Sequence, residues 1–155
     1  MVDVVDPITR SRMMAGIQSK NTRPERLLRQ KLHAIGIRYR LHAPDLPGKP
    51  DLVFPRFNAV AFVHGCFWHR HKDCHWCSIP SSNTDFWSTK FERNVVRDKD
   101  ARDALRCAHW RVATVWECSL RGAGADTLAD SVADWLRNGN GDFDSGLVRL
   151  RADRC

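Results

Sequence analysis

Six thiol and imidazole side chains fall within twelve residues of this chain: Cys66, His69, His71, Cys74, His75 and Cys77. Random composition rarely concentrates soft ligands so tightly. A fold containing this stretch either wraps it around a metal or leaves it as reduced, partly buried thiols and surface histidines. Residues 1–10 (MVDVVDPITR) hold no apolar run of the signal-peptide kind, so an intracellular, reducing setting is expected and disulfides are disfavoured. Structural zinc takes four tetrahedral ligands, commonly Cys₃His or Cys₂His₂. The loop alone supplies only part of such a set easily, and Cys118 stands at the end of a later apolar strand, in Trp116-Glu117-Cys118. If the strands ending at Val63 and Trp116 are neighbours, Cys66, His71, Cys74 and Cys118 form a natural Cys₃His site. By spacing alone Cys77 can replace Cys74, and His69 or His75 can replace His71. Cys107 and Cys155 stand apart.

The rest of the chain frames that stretch. At 155 residues, a single domain over 1–155 is expected. A hydrophobic fraction of 43% beside 28% charged residues is that of a globular protein rather than a disordered one. No apolar run approaches the roughly 20 residues that span a bilayer. A net charge of +7, carried mostly by arginine, favours polyanionic partners such as nucleic acid, and simple solubility charge accounts for it equally well. Residues 8–18 read as a short basic helix or arm. Thr22, Pro24 and Glu25 mark a helix start, and the helix runs to about Ile35 before Gly36. Short strands are expected over 37–41 and 52–54, then a wholly apolar strand over 59–63 of the kind buried on both faces. A long helix over 84–107, a buried strand over 109–116 and an amphipathic helix over 127–137 follow. Residues 138–155, rich in Gly and Asp, read as a loose tail. This order implies an α/β fold with a mixed central sheet flanked by helices.

Two acids and two histidines carry candidate chemistry. Asp51 follows the turn-rich Leu46-Pro47-Gly48-Lys49-Pro50 and opens a buried strand, where a carboxylate can hold a hard cation for phosphodiester cleavage. A capping box by itself accounts for Glu25. His64 and His69 flank the thiol-rich loop and can deliver or accept protons.

The run His64-Gly65-Cys66-Phe67-Trp68-His69-Arg70-His71, with Cys74 after it, resembles the very-short-patch-repair (Vsr) endonucleases. So do Pro47-Gly48-Lys49-Pro50-Asp51, Asp85-Phe86-Trp87 with Asn94-Val95 and Arg97-Asp98, Trp110-Arg111-Val112 with Val115-Trp116-Glu117-Cys118, and Thr9-Arg10-Ser11-Arg12-Met13-Met14. The likeness spans roughly residues 6–137. It implies a fold like the PD-(D/E)xK restriction nucleases, and Mg²⁺-dependent nicking 5′ to the thymine of a T:G mismatch left by deaminated 5-methylcytosine. It further implies Asp51 as the Mg²⁺ ligand, His69 as the proton-transfer residue, Glu25 as a supporting acid, and His64 as a histidine paired with Asp98. Cys66, His71, Cys74 and Cys118 match the zinc ligands. Phe67, Trp68 and Trp87 match side chains that wedge into the duplex, and Met14 and Ile17 belong to an inserting arm. Family members can carry Thr at the position of Val63, whose backbone carbonyl can still serve the Mg²⁺ ion. The acid and lysine of a standard PD-(D/E)xK site do not follow Val60, so the chemistry must lean on histidine.

The expected protein is a monomer in the bacterial cytoplasm, at the nucleoid. It acts on double-stranded DNA carrying a T:G mismatch, uses catalytic Mg²⁺ and structural Zn²⁺, and has other repair proteins as candidate partners. The competing readings are a restriction-type endonuclease cutting matched duplex, a non-catalytic zinc-stabilised DNA-binding module, and a hydrolase using the Cys/His-bound zinc itself.

Overall fold

A computed structural model of the chain describes residues 8, 21–75, 77–122 and 124–146. Met14 and Ile17 of the basic arm, and the tail beyond residue 146, lie outside the described residues. The first long element, α1 (Arg23–Ala34), starts where the capping signals place it: Thr22 is extended and its hydroxyl accepts the Glu25 N–H, with Pro24 in the first turn. It ends in a Schellman motif. Gly36 N–H donates to the His33 carbonyl and Ile37 N–H to that of Leu32, with Gly36 at φ +89°, a conformation that side chains resist.

Five strands follow in the spatial order β1-β2-β3-β4-β5: β1 (Arg40–Leu41), β2 (Leu52–Phe54), β3 (Ala59–His64), β4 (Arg111–Trp116) and β5 (Phe143–Asp144). β1, β2 and β3 pair antiparallel, whereas β3–β4 and β4–β5 are parallel. The 24-residue α2 (Thr84–Cys107) links β3 to β4, and α3 (Gly124–Asn138) links β4 to β5. The mixed α/β sheet is as expected, because parallel strands need crossover helices.

The apolar runs of β2, β3 and β4 divide between two layers by the period of two along a strand. Leu52, Ala59, Ala61, Ala113 and Val115 face α1 and α3, packing on Leu28, Leu32, Leu128 and Val132. Val53, Val60, Phe62 and Val112 face the other way, onto Ala101 and Leu105 of α2.

Two expectations need correcting. The strand read over 37–41 shrinks to Arg40–Leu41, since Ile37 is spent on the helix cap. The tail read from residue 138 instead supplies β5. Its strand is too short to show a periodicity, and polar contacts fix it: Asp142 accepts the Val112 N–H, Ser145 Oγ accepts the Trp116 N–H, and Asp144 accepts the Trp116 indole N–H.

The loop before β2 is pinned at Gly48, at φ +72°. A Cβ there would stand 2.5 Å from the Ala101 Cβ on α2 and 3.1 Å from the Phe62 ring. Gly48→Ala combines left-handed strain with overpacking, so a loss of about 2–4 kcal/mol is expected. A urea unfolding midpoint unchanged from wild type would contradict that.

Candidate active site and metal centre

Two strand registers assemble the site. In the β2–β3 hairpin Leu52 lies opposite Ala61, which brings Asp51 beside the last residues of β3. There the Asp51 carboxylate accepts the Val63 N–H at 2.7 Å, a side chain continuing where the β2 ladder stops. Burial pushes the Asp51 carboxyl up to about 7. The Val63 hydrogen bond opposes this, the Glu25 charge adds to it, and the fields of His69 and Arg29 oppose it.

Glu25 is 1% exposed. Only its backbone is used by the cap, so its carboxylate turns inward. Oε1 lies 3.7 Å from Arg29 Nη1 and 3.2 Å from His42 Nε2, yet makes no hydrogen bond among the described residues. His42, Glu25 and Asp51 thereby form a three-donor group, with one ligand atom of each within 4.8 Å of the others. Sequence reasoning missed His42. Nothing in Arg40-Leu41-His42-Ala43 marks it, and only the sheet brings it here, its N–H donating to the Asp51 carbonyl at 3.2 Å.

Beside Asp51 stand the two histidines. Their rings stack at 3.8 Å and 5°. His69 Nδ1 meets Asp98 Oδ2 at 2.6 Å. Burial would raise the Asp98 carboxyl, but the His69 hydrogen bond and the charges of His64, His69 and Arg97 hold it below the ordinary value. The expected pairing of His64 with Asp98 is therefore corrected: the acid grips His69. His64, the last residue of β3, lies beneath at 5% exposure, covered by Phe62 and Trp116. His69, on the returning loop, is the imidazole that an acid on α2 reaches. Burial, then the His69 charge, lowers His64 to about 3, so it stays neutral near pH 7. Its Nδ1 has no hydrogen bond among the described residues.

The second register is parallel. His64 of β3 pairs level with Trp116 of β4, so Cys66 and Cys118, each two residues further on, arrive together. Cys66, His71, Cys74 and Cys118 each offer a ligand atom within 4.8 Å of the others, and Cys118 Sγ is 3.4 Å from His71 Nδ1. Zinc bond lengths of about 2.0–2.3 Å give tetrahedron edges of roughly 3.3–3.8 Å, so this donor set fits such an ion. Cys77, His69 and His75 are not in the group. Burial drives the Cys66 thiol strongly up, a condition that a bound cation reverses. Trp116 stacks on His71 at 4.2 Å and 6°, holding the ring in place.

Between the two sites the loop carries an aromatic ledge. Phe67 and Trp68 are half-buried and stand on Trp87 and Phe91 of α2. Asn94 donates to the Trp68 carbonyl, and the Arg70 guanidinium sits 4.1 Å from the Phe91 ring centre. Trp87 is 9% exposed and forms the base of the ledge, whereas its neighbour Phe86 is 56% exposed.

Comparison with known proteins identifies the family. A family model described as DNA mismatch endonuclease Vsr matches residues 2–76. The type II nicking enzyme V.XorIIP of Xanthomonas oryzae pv. oryzae is 50% identical over 125 residues, 81% of this chain and 91% of that one. The DNA mismatch endonuclease Vsr of Escherichia coli is 38% identical over 139 residues, 88% of each chain. The type II nicking enzyme V.NmeAIP of Neisseria meningitidis is 42% identical over 121 residues, 78% of this chain and 86% of that one. With such identity over most of both partners' lengths, the chain belongs to the Vsr DNA mismatch endonuclease family and is a DNA endonuclease.

Proposed function

We propose that this endonuclease nicks one strand of duplex DNA 5′ to the thymine of a T:G mismatch, in a Mg²⁺-dependent step that begins very short patch repair. The observation that carries the reading is a buried carboxylate, Asp51, held at the end of β3 within the field of His69, which Asp98 grips. The relatives' names support it: one is a mismatch endonuclease and the others are nicking enzymes. The mixed sheet with helices on both faces supports a fold of the PD-(D/E)xK kind, with histidine in place of the usual lysine.

Asp51, the Val63 backbone carbonyl and Glu25 would hold the Mg²⁺ ion. When bound, it supplies Lewis-acid polarisation of the phosphate and a more acidic water. His69 is the group that moves a proton. Asp98 holds its Nδ1, which leaves Nε2 to exchange a proton with water or the departing oxygen. Neutral His64, stacked on it, keeps water from one face of that ring. Phe67 and Trp68, carried on Trp87, enter the duplex, since a mismatched pair is cheaper to unstack than a matched one. The Cys66/His71/Cys74/Cys118 group takes a structural zinc, whose four protein ligands leave no position open for chemistry.

The test is a nicking assay on matched and T:G duplexes with and without Mg²⁺. His69→Ala is expected to slow nicking by about 10²–10⁴-fold, the usual contribution of a positioned proton-transfer group. Equal cutting of both strands of matched DNA would replace this reading with a restriction-type one. Mismatch binding without any strand break in Mg²⁺ would make the protein a binding module.

A further inference from the structure

We propose that His42 is a direct nitrogen ligand of the divalent cation held at Asp51, so that the site binds Mn²⁺ more tightly than Mg²⁺. The inference rests on the cation site proposed above and deepens it. Three observations carry it.

The first is spacing. His42 Nε2 and Glu25 Oε1 stand 3.2 Å apart, and with an Asp51 oxygen they form a set whose members lie within 4.8 Å of one another. Adjacent ligands of an octahedral ion with bonds of 2.0–2.1 Å are separated by about 3 Å. The second is alignment. Despite that distance, Glu25 Oε1 makes no hydrogen bond among the described residues, although it is 1% exposed. A buried anionic oxygen with no hydrogen bond is costly, and a cation shared with the imidazole removes the cost. Arg29, at 3.7 Å, is too distant for a hydrogen bond and offsets one of the two negative charges. The third is backbone strain. His42 is held at φ +49°, and its N–H is tied to the Asp51 carbonyl at 3.2 Å, so the chain holds this side chain next to the acid at some conformational expense.

Asn21 Oδ1 lies 3.3 Å from His42 Nε2 and also accepts from Arg29. In the metal-free protein that oxygen can accept a hydrogen bond from Nε2–H. Coordination uses the other neutral tautomer, with the proton on Nδ1 and the Nε2 lone pair facing the ion, so no proton is lost. An imidazole beside two carboxylates moves preference away from Mg²⁺, which favours an all-oxygen shell, towards Mn²⁺.

The experiment measures Mn²⁺ and Mg²⁺ binding to the full chain without DNA, together with the electron spin-echo modulation of bound Mn²⁺. The variants are His42→Asn and His42→Gln. Asn tolerates the left-handed backbone of position 42, which guards the fold, and thermal unfolding checks it. Wild type is expected to show modulation from a bound imidazole nitrogen. Both variants should lose it, weaken Mn²⁺ by about tenfold or more, and leave Mg²⁺ within about threefold. Asp51→Asn should abolish binding of both ions. Equal losses for the two metals would mean that His42 only positions Glu25, and would overturn the proposal. So would nitrogen modulation that survives in the variants, or that is absent from wild type. Because no DNA is present, failure of T:G-directed nicking would remove the functional reading and leave this result standing.

Discussion

Asp51→Asn is expected to cut nicking by roughly 10³-fold or more while making the metal-free protein more stable above neutral pH. The two effects share one cause. Burial raises the Asp51 carboxyl to about 7 in the folded chain, against an ordinary value of 3.8. Below about pH 4 the folded and unfolded states both hold the proton, and the group imposes no pH-dependent penalty. Between about pH 4 and 7 the unfolded chain releases the proton and the folded chain keeps it, so stability falls as pH rises. Above about 7 the whole penalty is present, with a ceiling of about 4 kcal/mol at 1.36 kcal/mol per pH unit. Asn keeps an oxygen for the Val63 N–H and has no charge to bury. Urea unfolding without added divalent cation should therefore show the variant gaining on wild type from pH 5 to pH 8. In Mg²⁺ the gap should close, because the ion binds only the wild-type carboxylate. A variant equally destabilised at every pH would show that the carboxylate is structural. Mg²⁺ affinity of wild type should likewise rise with pH up to about 7 and then level, since proton and ion compete for one group.

The other large effect is expected at the thiol centre. Cys118→Ala removes a ligand that joins the end of β4 to the loop after β3, and metal binding there is part of the folding free energy. Isolated zinc fingers draw about 10–16 kcal/mol from such a site, and a domain with its own core depends on it less. A loss of roughly 3–5 kcal/mol is expected, which for a chain of this size lowers the melting temperature by about 10 °C or more. Elemental analysis should find about one zinc per wild-type chain, as one four-ligand site requires, and less in the variant. Cys107→Ala, at an exposed position outside the donor group, should stay within about 0.5 kcal/mol of wild type. A Cys118→Ala melting curve superimposable on wild type, with no metal in either protein, would remove the zinc assignment.

Much of the scaffold was legible residue by residue. Thr22, Pro24 and Glu25 start a helix through their own backbone chemistry, Gly36 ends it, and α2 spans the 84–107 expected of it. These features depend on neighbours within a turn or two. The edge strand β5 was not legible, since Phe143–Asp144 is too short to show alternation and is held by Asp142 and Ser145 bonding to β4. Nor was Asp98's hydrogen bond to His69 rather than to His64, which is made between the returning loop and α2. Trp87 in a helical pattern reads as core before wedge, the wedge role coming only from the family resemblance, and packing shows it beneath Phe67 and Trp68.

What the amino-acid order determined by itself is the inventory: soft ligands crowded between residues 66 and 77, an aspartate at a strand mouth, and apolar runs suited to a buried sheet. Which of those groups meet was decided by two strand registers. Leu52 opposite Ala61 delivers Asp51 to Val63, and His64 level with Trp116 delivers Cys118 to Cys66. The reason is that local spacing constrains contacts only along one segment. Register between strands separated by a 24-residue helix is set instead by burial of both sheet faces and by the hydrogen-bond ladder, which act only once the chain has closed.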